Sequence, residues 1–277
     1  MQLTRDEIRF DFGGARFELP RDREALRWVF SQFLYGEVTG VQVGHWIHHA
    51  PDLECAQFLA RQCAQELSHV RILRAVFDLL GAEPQPPHRL VRFLATGLMG
   101  ASWEEHVCLE MALGEGYVLT VFYALLETIP DLEIVRLLRG AARQEETHVE
   151  FGEAQTARAA RDPRVRRHLL GMSLVSLVAM RRLAGTLGRR SDPSHPVWRQ
   201  LPAFARHTAA VSELRLMRLG LLDRPLSEMP RAHFARHLAA GLAGRALAPL
   251  RLSRQRLLTS TYLQDPSISR APAGGPP

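Results

Sequence analysis

The chain has 277 residues and a formal net charge of +6, with 46% hydrophobic and 23% charged residues, a composition typical of a globular protein with a sizeable core. Its three cysteines form no Cys-x-x-Cys pair and no even disulfide framework, which excludes a disulfide-rich secreted scaffold and favours reduced thiols in the cytoplasm. The N-terminal residues lack a basic start and an apolar core, and no stretch of about 18 residues is free of charge, so we expect neither a signal peptide nor a transmembrane helix.

The positive charge is concentrated in the second half of the chain. Residues 1–155 carry 14 Arg and 23 acidic residues, a net charge of −9, whereas residues 156–277 carry 21 Arg and 6 acidic residues, a net charge of +15. The chain has neither Lys nor Asn, which indicates a coding bias toward Arg. The overall charge is therefore weak support for a nucleic-acid partner, although RNA and an anionic substrate handle both stay open as ligands of the basic half.

Long segments rich in Leu, Ala, Arg and Glu predict an all-α fold. Residues 8–19 are an exception, because apolar and polar residues alternate there around Gly13-Gly14. This alternation predicts a small β-hairpin that packs on the following helices.

A first long helix is predicted from Asp22 to about His49, with Pro51 ending it. Glycines occupy positions 36, 40 and 44 of this helix, although each costs about 1 kcal/mol relative to Ala in a helix interior. Such a stripe indicates either the close packing of another helix or a cavity beside Glu37.

Turn signals divide the rest of the first half into further helices. We predict a second helix at 52–80, a Pro-rich connector at 84–87, a short crossover helix at 88–100, a third helix at 102–128 and a fourth at 131–161.

Three more helices are predicted at about 163–187, 194–220 and 227–262. The predicted organisation is an N-terminal arm at 1–20, a four-helix bundle at 21–162, a basic helical extension packed on the bundle at 163–264 and a disordered tail at 265–277.

Two copies of one pattern, 79 residues apart, organise the first half of the chain. The tetrapeptide Pro-Asp-Leu-Glu occurs at 51–54 and again at 130–133. A Glu and a His three residues apart lie on one face of a helix, close enough to share one metal ion. Each tetrapeptide is followed at the same distance by such a motif, formed by Glu66 and His69 in the first copy and by Glu145 and His148 in the second.

Each predicted hairpin also presents a lone Glu level with its Glu-x-x-His motif. Counting back from Pro51 across the turn gives Glu37, and counting back from Pro130 gives Glu115. The 79-residue shift aligns Glu37 with Gly116 rather than with Glu115, so we predict a local bulge in one helix that absorbs this mismatch of one residue. Glu110 is the alternative ligand on that helix.

Packing the two hairpins together brings four Glu and two His to one interior point. Four buried carboxylates would repel one another strongly without metal ions. Mixed carboxylate and imidazole ligands suit Fe or Mn better than Ca or Mg. The predicted metal ligands are Glu37, Glu66, His69, Glu115, Glu145 and His148.

This pattern resembles the ferritin-like superfamily of di-iron and di-manganese carboxylate proteins. The resemblance covers residues 22–160 and implies a ferritin-like four-helix bundle of two helical hairpins. It implies that Glu66 or Glu145, or both, bridge two metal ions and that each His binds one ion. The implied cofactors are two Fe ions, with Mn/Fe and Mn/Mn pairs as alternatives, and O2 is the implied co-substrate.

Several reactions occur in this superfamily, including hydroxylation, desaturation, N-oxygenation and ferroxidation. Gly36 and the glycines at 114 and 116 remove side-chain volume beside the ligands, and the chain continues past the bundle. Both features favour a di-iron oxygenase or oxidase that acts on an organic substrate, either a small molecule or a carrier-tethered group, with a reductase or ferredoxin as electron donor. The sequence leaves open whether the chain forms a homodimer. The alternatives are a metal-binding or ferroxidase protein without organic turnover, a tRNA-hydroxylase-like enzyme and a non-catalytic helical scaffold.

Overall fold

In a computed structural model, the chain is described at residues 2–89, 91, 92, 95, 100–190 and 194–252. All regular structure in these residues is helical, which confirms the all-α prediction. Segments of 3₁₀ helix at Val41–His49, Trp198–Gln200 and Leu226–Glu228 accompany the other helices. These other helices are α1 (Arg5–Ile8), α2 (Leu19–Gly40), α3 (Leu53–Leu80), α4 (Trp103–Thr128), α5 (Leu132–Ala159), α6 (Pro163–Arg190), α7 (Leu201–Arg218) and α8 (Arg231–Leu252).

The repeated Pro-Asp-Leu-Glu tetrapeptides begin α3 and α5, because their Asp side chains cap these helices. Asp52 accepts a hydrogen bond from the backbone N–H of Cys55 at 2.8 Å, and Asp131 accepts one from the backbone N–H of Ile134 at 2.9 Å. Such caps stabilise a helix by about 1 kcal/mol. Helix α3 ends at Leu80, and the next residue, Gly81, has a φ of +57°, which glycine adopts readily.

Helices α2 and α3 pack on each other as one hairpin, α4 and α5 pack as a second, and α3 contacts α5 between the two hairpins. Aromatic and aliphatic side chains from all four helices form the main core, including Phe30, Phe77, Phe122 and Leu138. Full burial of one such side chain contributes about 1.5–3 kcal/mol. Helices α6 and α7 cover α4, and α8 packs on α6.

Helix α4 changes its hydrogen-bonding pattern along its length. It is α-helical at Trp103–Glu105, π-helical at His106–Glu115 and α-helical again at Gly116–Thr128. A π-helix bonds residue i to residue i+5, so it accommodates extra residues without breaking the helix. The bulge that the repeat alignment predicted for one helix therefore lies in α4, and it ends at Glu115.

Among the described residues, α4 has the length and apolar composition of a membrane span, with a mean hydropathy of 1.4 over its most apolar window. Buried core helices of many proteins have the same length and apolar composition, and 56% of this window is buried by the rest of the chain. The property is weak evidence for a membrane span.

The β-hairpin predicted for residues 8–19 is wrong, because the described part of the chain contains no strand. Gly13-Gly14 do form a turn, with φ angles of +64° and +72°. The segments on either side of it face helices instead of each other, and Phe12 packs on Phe204 of α7 with ring centroids 5.5 Å apart. The alternation of apolar residues therefore reflects one buried face of an irregular arm.

Helix α2 begins at Leu19, three residues before the predicted start, and its final turns tighten into the 3₁₀ segment Val41–His49. The crossover helix predicted at 88–100 lies largely outside the described residues. The same holds for the end of the last predicted helix beyond residue 252 and for the whole predicted tail at 265–277.

Candidate metal centre

The structure brings the six predicted ligand side chains together in two groups at the interior of the two hairpins. Within each group, the ligand atoms all lie within 4.8 Å of one another. Glu66 belongs to both groups, so its carboxylate is placed where two metal ions could share it. The first group is Glu37, Glu66, His69 and Glu145, and the second is Glu66, Glu115 and His148.

All four helices of the two hairpins contribute to these groups. Five of the six side chains are at most 4% exposed. Glu115 is half-buried because it borders a cavity, but its Oε2 atom is enclosed. Its other carboxylate oxygen, Oε1, accepts a hydrogen bond from Nε2 of Gln62 at 2.7 Å, which holds the end of the π-helical segment of α4 against α3.

Both histidines face the carboxylates through Nδ1. In the first group, Nδ1 of His69 lies 3.0 Å from Oε2 of Glu37 and 3.2 Å from Oε1 of Glu145. In the second, Nδ1 of His148 lies 3.3 Å from Oε1 of Glu66. Each imidazole therefore presents one ring nitrogen to a cluster of oxygen atoms.

The other ring nitrogen of each histidine, Nε2, is hydrogen-bonded to the side chain of a glutamine. Oε1 of Gln144 lies 2.8 Å from Nε2 of His69, and Oε1 of Gln65 lies 2.7 Å from Nε2 of His148. Because an amide oxygen only accepts, Nε2 carries a proton in both rings, and Nδ1 becomes the nitrogen available to a metal ion.

These glutamines belong to the repeat but were not among the predicted site residues. Gln65 and Gln144 directly precede the two motif glutamates and are themselves 79 residues apart. The full repeated motif is therefore Gln-Glu-x-Ser/Thr-His, and it includes the residue that orients the histidine of the other copy.

Burial and mutual repulsion perturb the carboxylates. Burial raises the pKa of Glu37 well above its usual range, against an opposing hydrogen bond with His69. The pKa of Glu115 is raised by burial and by the charges of Glu145 and Glu66. Burial acts in the same direction on Glu145, but the nearby imidazoles of His148 and His69 outweigh it and lower this pKa to about 2.

Burial and the neighbouring carboxylates also act in opposite directions on the pKa of His69. Burial lowers its pKa, but hydrogen bonds with Glu145, Glu37 and Glu66 outweigh burial and raise the pKa above its usual range. In the metal-free cluster, bound protons therefore supply the positive charge that the carboxylates require. Divalent cations would supply the same charge.

Three buried ligand atoms have no hydrogen-bond partner among the described residues: Oε2 of Glu115, Oε2 of Glu145 and Nδ1 of His148. An unsatisfied buried polar atom costs about 1–3 kcal/mol, and metal coordination would satisfy all three. Carboxylate oxygens together with imidazole nitrogens suit divalent transition metals. The cluster could therefore hold metal ions.

The glycines of α2 make room for this arrangement. A Cβ atom at Gly40 would lie only 2.8 Å from Oε2 of Glu66, so the shared carboxylate occupies space that a side chain would take. A Cβ atom at Gly36 would meet nothing within 4 Å, and Gly36 lines a cavity with Glu37. The glycine stripe indicated either close helix packing or a cavity. At Gly36, the structure shows a cavity beside Glu37.

This cavity has a volume of about 750 Å³, and four of the cluster carboxylates form part of its wall. Its size lies within the range of about 300–1,000 Å³ that is typical of pockets for organic ligands. Most of the remaining wall is aromatic or aliphatic and comes from the N-terminal arm, α2, α4 and the region of α7, including Phe12, Trp28, Phe33, Val121, Trp198 and Phe204.

Glu110 belongs to neither group. Its Oε1 accepts a hydrogen bond from the backbone N–H of Gly100 at 2.6 Å, and its Oε2 lies 2.9 Å from Nδ1 of His106. Glu115, and not Glu110, is therefore the glutamate that α4 contributes to the cluster. Tyr117 lines the cavity but also belongs to neither group.

No protein-family model, curated protein or solved structure matches the chain. The resemblance to the ferritin-like superfamily therefore stays a prediction from the motifs. The function has to be inferred from the side chains that form the cluster and the cavity.

Proposed function

We propose that the chain binds two Fe ions in the Glu/His cluster and uses O2 to oxidise an organic substrate held in the adjacent cavity. The observation that carries this proposal is the direct border between the cluster carboxylates and a mostly apolar cavity of about 750 Å³. A protein that only stores metal needs no such cavity. An organic substrate bound there would lie beside the ions.

Glu37, His69 and Glu145 would hold one ion, Glu115 and His148 would hold the other, and Glu66 would contribute to both. Imidazole nitrogen in the ligand set favours Fe or Mn over Ca or Mg. When bound, such a pair of ions supplies the redox chemistry with O2 that side chains cannot provide.

The chain's own residues would orient the two imidazole rings, exclude water from the cluster and position the substrate. Gln65 and Gln144 fix the tautomer and the ring plane of the two histidines. The apolar walls of the cavity keep bulk water from the cluster and bind the body of the substrate. Insertion of one oxygen atom of O2 into the substrate consumes two electrons and two protons and releases one water, so we propose a reductase or ferredoxin as electron donor.

The test is anaerobic loading with Fe(II), followed by metal analysis and measurement of O2 consumption. We expect about two Fe per chain, one for each ligand group, and O2 consumption that the variant Glu66→Gln loses. Glu54→Gln is the matched control, because Glu54 lies on the same helix but is exposed.

A protein that binds no metal under any condition would contradict the proposal. Iron accumulation far above the two groups, in a large assembly and without oxidation of any organic compound, would indicate a storage protein instead. Size-exclusion chromatography with metal analysis separates these outcomes.

A further inference from the structure

The cavity beside the cluster follows two helices for most of their lengths. On α4 its lining residues extend from His106 to Thr128, which is about 30 Å at a helical rise of about 1.5 Å per residue. On α2 they extend from Ala25 to Val43, about 27 Å by the same measure. A compact cavity of the same volume, about 750 Å³, would be only about 11 Å across. The cavity is therefore elongated along both helices.

The cluster borders this elongated cavity between its two ends. The rings of Phe33 on α2 and Phe122 on α4 lie 4.9 Å apart. Glu37 follows Phe33 by about one turn and Glu115 precedes Phe122 by about two, and both glutamates belong to the cluster. The two helices therefore run in opposite directions along the cavity, and a molecule that fills it passes beside the cluster.

Each helix presents one largely apolar face to the cavity. Most of these side chains recur at intervals of four residues, which places them along one side of a helix. They include Ala25, Val29 and Phe33 on α2, and Leu109, Leu113, Val121 and Leu125 on α4. Burial against such a wall stabilises a ligand in proportion to its apolar surface. A ligand with apolar surface along its whole length therefore gains most.

The charges that line the cavity disfavour an anionic ligand. The chain contains 35 arginines, yet none is among the described residues that line the cavity. Five glutamates do line it, namely Glu37, Glu66, Glu110, Glu115 and Glu145. In the metal-free protein, a ligand carboxylate or phosphate would therefore find acidic groups and no guanidinium. The cavity suits an uncharged molecule.

We propose that the cavity binds an elongated, uncharged organic molecule, such as an unbranched hydrocarbon chain with a neutral polar group, which lies along α2 and α4 and passes beside Glu37 and Glu115. This inference deepens the proposed function and rests on it only for the oxidation of the bound molecule. Binding itself requires no metal ion.

The test is calorimetric titration of the metal-free full-length protein with 1-hexanol, 1-octanol, 1-decanol, 1-adamantanol and decanoate. Affinity should rise about threefold or more for each methylene group added to the linear alcohols, because each buries more apolar surface. 1-Adamantanol has the ten carbon atoms and the hydroxyl of 1-decanol in a compact shape, and it should bind at least about tenfold more weakly. Decanoate should also bind more weakly than 1-decanol.

Two variants with the same kind of substitution locate the binding site. Val121→Trp fills part of the cavity and should weaken 1-decanol binding at least about tenfold. Val38→Trp is the matched control, because Val38 is 53% exposed on α2 and does not line the cavity, so it should bind like the wild type.

Four outcomes would overturn the inference: no alcohol binds the wild type, affinity does not rise with chain length, 1-adamantanol or decanoate binds as tightly as 1-decanol, or folded Val121→Trp binds like the wild type. The selectivity of the wild type for length, shape and charge does not depend on any variant. Failure of Fe(II) loading with this selectivity intact would instead remove the proposed function alone.

Discussion

Gln65 on α3 accepts a hydrogen bond from His148 on α5, with 2.7 Å between Oε1 and Nε2, and Gln144 on α5 makes the equivalent bond of 2.8 Å with His69 on α3. The two bonds cross between the hairpins in opposite directions. Each glutamine directly precedes a glutamate of the cluster on its own helix. The orientation of each imidazole is therefore coupled to the packing of the other hairpin.

We expect Gln65→Leu to lower metal affinity by about 10–100-fold, because loss of the acceptor frees the ring of His148 to rotate and to change tautomer. Competition with a chromophoric chelator measures this affinity without any assay of activity. Gln144→Leu should have a similar effect through His69.

Gln65→Glu retains an acceptor and should keep affinity within a few-fold of the wild type. Gln57→Leu changes an exposed glutamine of the same helix and should have no effect. If Gln57→Leu and Gln65→Leu lower the affinity equally, the hydrogen bond to His148 has no role in metal binding.

Gly40 and Gly36 form a matched pair, because they lie one turn apart on α2 but face different surroundings. A Cβ atom at Gly40 would come within 2.8 Å of Oε2 of Glu66, whereas one at Gly36 would meet nothing within 4 Å. We expect Gly40→Ala to displace the shared carboxylate and to lower metal affinity at least about tenfold, since coordination distances tolerate only about 0.2 Å. Gly36→Ala should leave metal affinity unchanged and raise the free energy of unfolding by about 0.5–1 kcal/mol.

Chelator competition and urea denaturation of both variants check this pair. Equal metal affinities in Gly40→Ala and the wild type would show that Glu66 can move aside without consequence for the ions.

The repeat made the cluster predictable from the sequence. Equal spacing from the capping residues Asp52 and Asp131 places Glu66 and Glu145 at equal depth in their hairpins, since helical rise is constant. The one-residue mismatch at Glu115 predicted the distortion that the structure shows as a π-helix. Local periodicity and capping thus determined the helices and the position of the ligands along them.

Features that depend on contacts distant in sequence were not predictable. The arm around Phe12 has the alternation of a strand, and only its packing on Phe204 of α7 shows why no partner strand forms. Likewise, nothing local distinguishes Arg215 from the many exposed arginines of the second half, although it is fully buried. The cavity combines residues from the arm, α2, α4 and α7, so its existence follows from tertiary packing alone.

The sharing of Glu66 by both ligand groups leads to a graded prediction. Glu66→Gln removes a charged ligand from each group and should reduce the metal content to well below one ion per chain, whereas Glu115→Gln affects one group only and should leave about one ion. Each change removes one carboxyl group from a crowded cluster of four, so the metal-free variants should melt at the same Tm as the wild type or higher. Metal analysis after dialysis and thermal denaturation with chelator test both statements. Equal metal loss in the two variants would contradict a shared role for Glu66.

Arg215 and Glu153 form an ion pair between α7 and α5, with 2.8 Å between Nε and Oε1 and both side chains at most 1% exposed. The guanidinium lies over Gly116, where a Cβ atom would collide with it. The pair therefore attaches the C-terminal helices to the segment that follows Glu115 of the cluster. Arg215→Met leaves the Glu153 charge buried without its cation, and we expect the free energy of unfolding to fall by about 3–5 kcal/mol.

The double variant Arg215→Met with Glu153→Gln should recover more than half of that loss, because it no longer buries an unpaired charge. Arg136→Met, which breaks the exposed pair with Glu133, should leave the free energy of unfolding nearly unchanged, because solvent screens such a pair. Urea denaturation of the metal-free proteins separates these effects from metal binding. Additive losses in the double variant would show that Arg215 stabilises the chain by packing over Gly116 rather than by neutralising Glu153.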